Sequence, residues 1–477
     1  MINSQPLSPW RTFSVACIAI FLVSIDATVL YAGFPALRAG FPGVGAPELS
    51  WVLNAYTVVY AALLAPAGRL ADLYGRKRMF VLGVALFLVA SLGCGLSSHI
   101  FALIGSRILQ AIGAALLLPA SLSIVLAAFP IEKRAVVVSL WGAVGGLAAA
   151  LGPSVGSWLI EQLGWQWAFF INLPLGAISL IRGARGFTES RNVQNGAPLD
   201  WVGVTLLATG VGALALGLIR SETLGWSSPT VLAVFGLAIV ALGLFIPWAR
   251  HKTAPAIDLT LFDNATYRFV NLATLSFGTA FAMMFFNFFL FMTEIWKYPI
   301  SKAGLAATPG PLLVVPVSIL AGRFAGRFGH RPVLMIGAVV CATGGLWFYL
   351  VPGVDPDFLR AWLPGMILTG IGTGMVLPQL SAASVARLEP RRFGVGSAVN
   401  QAVRQIGAVL GVALTVVLVG HASPGLGDFK SVFLVQIALM LLTGVLCVWV
   451  DTRPRRQPAA NPAAANLAPS GSSAQRA

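Results

Sequence analysis

The chain has 477 residues, of which 57% are hydrophobic and 10% are charged, and its formal net charge is +15 at pH 7. A soluble globular protein carries about 25% charged residues, so this composition excludes a soluble protein and indicates that lipid surrounds most of the chain. The positive charge does not indicate nucleic-acid binding, because the basic residues stand in short segments between apolar runs and form no stripe with interleaved aromatic residues.

Apolar runs that approach the length of a membrane-spanning helix, about 20 residues, occur fourteen times, and we number them spans 1 to 14. Predicted spans 1 to 6 are 13–34, 50–67, 79–96, 101–129, 135–160 and 165–181. Spans 7 and 8 are 201–219 and 230–248. Spans 9 to 14 are 269–292, 303–322, 333–351, 362–385, 397–420 and 432–450. The sequence therefore predicts an all-α polytopic membrane protein.

The distribution of lysine and arginine predicts the orientation of the spans, because cytoplasmic loops carry an excess of both. With residues 1–12 in the cytoplasm, 23 of the 31 basic residues fall in cytoplasmic segments and six fall outside. The other two, Arg107 and Arg404, lie within spans. We therefore expect both termini in the cytoplasm, a cytoplasmic linker at 182–200, and a disordered cytoplasmic tail at 451–477.

Asp26 lies about 13 residues into span 1, which places it about 20 Å from the cytoplasmic end of the helix. An ionisable residue inside a span is costly and is a candidate functional residue. A buried carboxyl group can load and release a proton near physiological pH; the alternative is an acid held in a permanent ion pair. Asn54, in span 2, is a candidate cavity residue.

A loop pattern, Gly-Arg-x-Ala-x-x-x-Gly, follows span 2 and recurs 254 residues later, after span 10. The first copy contains Gly68, Arg69, Asp72, Gly75 and Arg76, and the second contains Gly322, Arg323 and Gly329. Many transporter folds are built from internal repeats. Because span 2 corresponds to span 10, we expect two six-helix bundles, at 13–181 and 249–450, separated by two inserted helices within 201–248.

Span 4 contains Arg107, about 10 Å from its outer end, and Gln110, a candidate cavity residue. Arg107 and Asp26 are therefore predicted to reach a similar depth and to exchange partners as a proton binds and leaves. Span 5 contains Gly152, Pro153 and Gly156. Small residues allow close contact between helices, and proline bends the span.

The last six spans contain three further candidates. Span 9 is rich in Phe and Met between 281 and 292 and includes Asn287, a candidate cavity residue. Such side chains suit promiscuous binding, but we favour lipid contact for most of these positions. Glu294 is either a carboxylate at the cavity mouth or an interfacial acid near Lys297. Arg404, in span 13, either lines the cavity or reaches toward the cytoplasm.

The repeated loop resembles the signature loop of the major facilitator superfamily, and the fourteen-span layout resembles its drug:proton antiporter branch, the multidrug exporters. The resemblance covers nearly the whole chain before the tail. It implies the major facilitator fold, and a proton-coupled exporter of amphiphilic or toxic compounds that works by alternating access in a bacterial cytoplasmic (inner) membrane. Two positions depart from the pattern: Ala111 replaces the usual glycine of the span 4 motif, and relatives often have glutamine at the position of Glu294.

The resemblance also implies roles for individual residues. Asp26, Arg107 and Glu294 are expected to couple protons, and Asp72 is expected to take part in a charge relay that gates the cytoplasmic side. The second copy of the loop has Gly326 at the position of Asp72, so this role is expected in the first half only. The Gly-Pro pair of span 5 is typical of exporters.

We further expect a lipophilic or cationic small-molecule substrate, no cofactor or metal, the proton gradient as energy source, and a monomer in contact with membrane lipid. A membrane-fusion protein is a candidate partner. Three alternatives stay open at this point. They are a proton-coupled symporter for a small nutrient or metabolite, a membrane enzyme acting on lipid-linked substrates, and a membrane sensor.

Overall fold

The computed structural model describes residues 8–191, 200–253, 255–389, 392–419 and 424–452. These residues form helices and connecting segments and contain no strand. Among them, 13 helices are long and apolar enough to cross a membrane, and a pair bent by 54°, Ala46–Leu64 with Pro66–Tyr74, makes a fourteenth. The predicted all-α, fourteen-span architecture is confirmed.

Five of the first six spans are longer than their apolar runs, and span 4 has the same length as its run. Span 1 is Pro9–Gly40, and span 2 consists of Ala46–Leu49 and Trp51–Tyr74. Spans 3 and 4 are Arg76–Gly95 and Ile100–Ala128. Span 5 consists of Ile131–Leu151, a π-helical turn at Gly152–Gly156, and Ser157–Leu163. Span 6 consists of Trp167–Phe170 and Asn172–Gly186. Span 1, with 32 residues, exceeds the roughly 20 that a bilayer requires, so its ends reach beyond the apolar layer.

The remaining spans follow the predicted order. Spans 7 and 8 are Trp201–Leu224 and Pro229–His251, and a 3-10 helix at Leu259–Asp263 precedes span 9, Ala265–Glu294. Span 10 consists of Ile300–Ala307 and Pro309–Phe328, and span 11 is His330–Leu350. Span 12 consists of a π-helical turn at Phe358–Trp362 and Leu363–Val385. Span 13 is Phe393–Val419, and span 14 consists of Leu426–Leu446 with a 3-10 turn at Cys447–Trp449.

The contacts between the two halves of the chain are most extensive in two pairs of spans: span 2 packs against span 13, and span 5 packs against span 10. Spans 7 and 8 form a hairpin, and span 7 packs against both span 2 and span 13. Apolar side chains fill this contact, among them Val58, Ala62, Val204, Leu207 and Val211. The inserted helices therefore lie beside one of the two joints between the halves.

Span 9 is buried inside the protein. Phe286 and Met292 are fully inaccessible, and Phe285 and Phe288 are 5% or less exposed. The preference for lipid contact along this helix is therefore wrong. The physical reason is that span 9 packs against spans 12, 13, 14 and 1, so protein covers several of its sides.

The two copies of the repeated loop lie on the same side of the helix bundle, because the even number of spans between them, 3 to 10, returns the chain to that side. We call this side the repeat face and the other the opposite face. Span 1 begins on the repeat face, so Arg38 and Glu294, near the ends of spans 1 and 9, lie toward the opposite face.

Candidate functional site

The first half contains a buried ion pair. Nη1 of Arg107 lies 2.6 Å from Oδ2 of Asp26, and the two side chains are 2% and 0% exposed. Nε of Arg107 donates a hydrogen bond to the carbonyl oxygen of Val52 over 2.9 Å. Its guanidinium also lies over the ring of Tyr56, 4.0 Å from the centroid. Spans 1, 2 and 4 thus hold one arginine against one carboxylate away from water.

The second oxygen of the carboxylate accepts hydrogen bonds from two amides. Oδ1 of Asp26 accepts from Nε2 of Gln110 over 2.8 Å and from Nδ2 of Asn172 over 2.9 Å. The same amide nitrogens donate to Oγ of Ser91, over 2.9 and 3.4 Å. Oε1 of Gln110 accepts a further hydrogen bond from Nη1 of Arg107. A buried ion is tolerated when it is paired and its remaining lone pairs are satisfied, and this network meets both conditions.

Protonation would change this network. A proton on Asp26 removes the negative charge that Arg107 pairs with and leaves a guanidinium that contacts no other acid in the described part of the chain. An unpaired buried charge is strongly unfavourable, so proton binding is expected to move Arg107 or the helices that carry it. The arrangement can therefore convert proton binding into a change in helix packing.

Sequence reasoning identified Asp26, Arg107 and Gln110 and missed Ser91 and Asn172. Asn172 stands in an apolar run, so the signal that singled out Asn54 and Asn287 was present there as well. Ser91 carried no signal, because a serine in a span most often bonds to its own helix.

The Gly-Pro segment of span 5 packs directly on the turn of span 1 that carries Asp26. A Cβ atom added to Gly152 would overlap Oγ1 of Thr28 and would lie 3.4 Å from the carbonyl oxygen of Ile25. A Cβ atom added to Gly156 would overlap Val29. Pro153 is the second residue of the π-helical turn, where its missing N–H suits the irregular hydrogen bonding. These residues let span 5 approach span 1 closely.

The other predicted cavity residues lie outside the Asp26 network. Asn54 and Asn287 are fully buried, and the nitrogen and oxygen of each side chain have no hydrogen-bond partner among the described residues. Arg404 lies in the interior, where the phenols of Tyr31 and Tyr60 are near its guanidinium. The polar groups of spans 2, 9 and 13 are thus available to other ligands.

Glu294 connects the two halves at the opposite face. Its carboxylate lies 3.7 Å from Nη1 of Arg38, in span 1, and 3.9 Å from Nζ of Lys297. Nearby in the chain, the backbone N–H of Ser301, at the start of span 10, donates to Oε2 of Glu161, in span 5, over 2.7 Å. Glu294 is therefore part of an ion pair between halves, and the structure does not bring it to Asp26.

On the repeat face, the acid and the base of the first loop copy pair with each other. Nη2 of Arg76, at the start of span 3, lies 3.1 Å from Oδ1 of Asp72, four residues earlier and near the end of span 2. Arg69 interacts electrostatically with Asp200, just before the inserted helices, and with Asp258, just after them. A cavity of about 430 Å³ opens beside Arg76, against the end of span 4, and is lined by Arg76, Ser123, Leu126 and Ala127.

The glycines that open each loop copy occupy equivalent positions. A Cβ atom on Gly68 would lie 3.8 Å from Pro119, in span 4, and one on Gly322 would lie 3.5 Å from Gln379, in span 12. Arg323, which follows Gly322, is exposed. The two loops therefore face corresponding helices in the two halves.

The glycines that close each loop copy adopt left-handed backbone angles, with φ of +111° at Gly75 and +85° at Gly329. The next helix is then capped by the segment that follows the last span of the same half. The carboxylate of Glu189 accepts from the backbone N–H groups of Lys77 and Arg78, over 3.1 and 3.2 Å.

In the second half the backbone N–H of His330 donates to Oγ1 of Thr452 over 2.8 Å. Sequence reasoning missed both capping residues. They show that the two halves repeat a tertiary contact as well as a sequence pattern.

Comparison with known proteins agrees with this architecture. The family model described as Major Facilitator Superfamily matches residues 16–255 and 271–474. The multidrug transporter protein MdtP of Bacillus subtilis is 31% identical over 401 residues, which are 83% of this chain and 73% of MdtP. The methylenomycin A resistance protein of Bacillus subtilis is 30% identical over 442 residues, 91% of this chain and 93% of that protein.

Among solved structures, an auto-inhibited POT family peptide transporter aligns with a TM-score of 0.68 and 16% identity over 95% of this chain and 99% of that one. At this identity the similarity concerns the fold alone. The family match spans both halves of the chain and both copies of the loop. The chain therefore belongs to the Major Facilitator Superfamily and is a multi-pass membrane transporter rather than an enzyme.

Proposed function

We propose that this transporter exports amphiphilic, often toxic, small molecules in exchange for protons. The observation that carries the proposal is the buried pair of Asp26 and Arg107, which places one titratable carboxylate against one arginine in the interior of the first half. Relatives named for multidrug transport and for methylenomycin A resistance support export as the direction. The proton gradient supplies the energy in this proposal, and no bound cofactor takes part.

We place the protein in a bacterial cytoplasmic membrane with both termini in the cytoplasm, which makes the repeat face cytoplasmic. The excess of basic residues in the repeat-face segments supports this orientation. The described contacts at Glu294 and Glu161 then close the external side, and substrate enters from the cytoplasm while Asp26 is ionised. Opening to the outside exposes Asp26 to protons, and its protonation accompanies substrate release.

A single chain supplies both halves of the bundle, and we therefore propose a monomer as the functional unit. In cells with an outer membrane, a membrane-fusion protein is the class of partner that would extend export beyond the cytoplasmic membrane.

The test uses everted membrane vesicles with an acidic interior and an amphiphilic dye as substrate. Proton release from the vesicles, driven by the dye, is measured for wild type, Asp26→Asn and Asp355→Asn. Asp355 is exposed, on the segment between spans 11 and 12, and its variant controls for the loss of a carboxylate. We expect Asp26→Asn to abolish proton release and Asp355→Asn to match wild type.

Two results would contradict the proposal. One is uphill export by Asp26→Asn with proton release at the wild-type rate. The other is proton-driven accumulation of the dye in right-side-out vesicles, which would establish a symporter instead.

A further inference from the structure

Arg404 differs from the other arginine inside a span because it has no carboxylate partner among the described residues, whereas Arg107 pairs with Asp26. Nε of Arg404 donates to Oε1 of Gln401 over 3.1 Å. The two terminal nitrogens carry four further N–H groups, and the described part of the chain provides no acceptor for them. A charge inside a membrane protein is costly unless it is paired, so this guanidinium is suited to a partner that comes from outside the chain.

Phenol and amide groups lie close to the guanidinium of Arg404, and aromatic rings lie beyond them. The phenols of Tyr31, in span 1, and Tyr60, in span 2, lie near the guanidinium. The hydroxyl of Tyr60 lies near the amides of Gln401 and Gln405, yet it makes no hydrogen bond of good geometry to the described residues. Two phenol groups are therefore available as additional donors.

Aromatic rings extend from Tyr31 toward span 9 and form one wall of the site. The ring of Tyr31 lies 6.2 Å from that of Phe285 and 6.0 Å from that of Phe286, measured between centroids. Such a wall accommodates a flat apolar body. The site therefore combines one cation, hydroxyl donors and an aromatic surface, which is the complement of an amphiphile with a negatively charged head.

The site lies at the joint that spans 2 and 13 form between the halves. Arg404 retains partly accessible surface although protein surrounds it. Arg404 and Tyr31 are both partly accessible, so they border accessible space where spans of the two halves meet, and rocking of the halves would expose a ligand there to either side.

The charges of the residues within the spans favour an anionic ligand. Asp26 and Arg107 neutralise each other within the first half, so Arg404 leaves one positive charge uncompensated at the joint. A guanidinium binds a carboxylate through two parallel hydrogen bonds. We propose that Arg404 is the anion-binding group of the substrate cavity, and that the substrates include amphiphilic organic anions with a flat apolar body and a carboxylate.

This proposal rests on the proposed export function and narrows its substrate class. It is tested by binding to the purified full chain, with three probes that share one aromatic body: pyrenebutyrate, pyrenebutanol and the corresponding pyrenebutylammonium. Wild type is expected to bind the carboxylate about tenfold more tightly than the alcohol, as for a hydrogen-bonded charge pair, and to bind the ammonium most weakly. Arg404→Gln is expected to lose this preference while binding the alcohol within about twofold of wild type.

Arg360→Gln removes an exposed arginine on the opposite face and should retain the preference. Equal binding of the three probes by wild type, or an unchanged preference in Arg404→Gln, would overturn the proposal. If Arg404→Gln does not fold, the three probes are compared on wild type and on Arg404→Lys, which keeps the charge without the planar guanidinium. A preference for the carboxylate that is smaller in Arg404→Lys than in wild type supports the proposal, and an equal preference contradicts it. Binding requires no proton gradient, so a failure of proton-coupled export in vesicles is distinguishable from a failure of anion selectivity.

Discussion

Asn172, in span 6, donates a hydrogen bond from Nδ2 to Oδ1 of Asp26 over 2.9 Å, and the two residues are 146 positions apart in the chain. Both side chains are fully buried. The contact ties the last span of the first half to the first, at the carboxylate we expect to carry the proton. It gives the ionised carboxylate a donor in addition to Gln110 and Arg107.

Replacing Asn172 by leucine should therefore impair proton exchange. A hydrogen bond to a charged group contributes about 1.5–3 kcal/mol, so we expect substrate-driven proton release to fall about tenfold or more. The measurement is proton release from everted vesicles at matched expression. Gln436→Leu, which removes another buried amide in span 14, should retain wild-type release. Equal rates for Asn172→Leu and wild type would show that Asn172 has no part in coupling.

Glu189 should stabilise the start of span 3. Because its carboxylate accepts from two backbone N–H groups, Glu189→Ala is expected to lower the free energy of unfolding by about 1 kcal/mol, the usual effect of losing a cap. Glu189→Gln keeps an acceptor oxygen and should lose less. Thermal unfolding of the purified proteins measures both effects. Identical midpoints for the alanine variant and wild type would contradict the capping role.

The contacts at the opposite face should favour the closed state of that face. We expect Arg38→Ala combined with Glu161→Ala to raise the labelling rate of a cysteine introduced at the buried Asn287 by an impermeant maleimide. The variant removes one ion pair and one hydrogen bond, each of which contributes up to about 1 kcal/mol, so the expected increase is up to about 30-fold.

Arg220→Ala is the control for this experiment, because it removes the pair with Glu48 on the same face, 3.4 Å apart, without affecting Arg38 or Glu161. An unchanged labelling rate in the double variant would mean that these contacts do not hold the face closed.

Asp200, just before span 7, should give stability a dependence on pH. Burial by itself would raise the pKa of this carboxyl group. Hydrogen bonds from Nε1 of Trp248 over 2.8 Å and from the backbone N–H groups of Gly203 and Ala256 over 2.9 and 3.0 Å outweigh that effect, with help from the charge of Lys252, so the pKa lies below its ordinary value. A lowered folded-state pKa adds stability above the unfolded-state pKa, and this stability is lost as the pH falls through the folded-state pKa.

Asp200→Asn should thus lower the free energy of unfolding at pH 7 by about 1–3 kcal/mol. The difference from wild type should shrink below about pH 4, near the ordinary pKa of aspartate. Thermal unfolding at a series of pH values tests this, and a difference that is constant down to pH 3 would contradict it.

The spans were predictable because lipid imposes a minimum apolar length on each helix. Their ends were not, because helices continue past the apolar layer: span 1 includes Pro9 and Arg38, both outside its predicted range. The 54° bend of span 2 beside Pro66 also went unpredicted.

Within the site, the similar depth of Asp26 and Arg107 followed from helical rise, and their side chains do meet. The partners of Asn172 and Glu189 could not be predicted from the sequence, because each contact joins segments more than 100 residues apart and depends on how the helices pack. The same holds for Arg404, whose sequence neighbourhood left two interpretations open.

The caps of spans 3 and 11 have a consequence for the order in which the protein is made. Lys77 is synthesised 112 residues before Glu189, and His330 is synthesised 122 residues before Thr452. The backbone N–H groups at the start of spans 3 and 11 therefore lack these acceptors until the sixth helix of the same half has left the ribosome and entered the membrane. The arrival of the cap marks the completion of a half, so the first half can reach its finished form before the second has been translated.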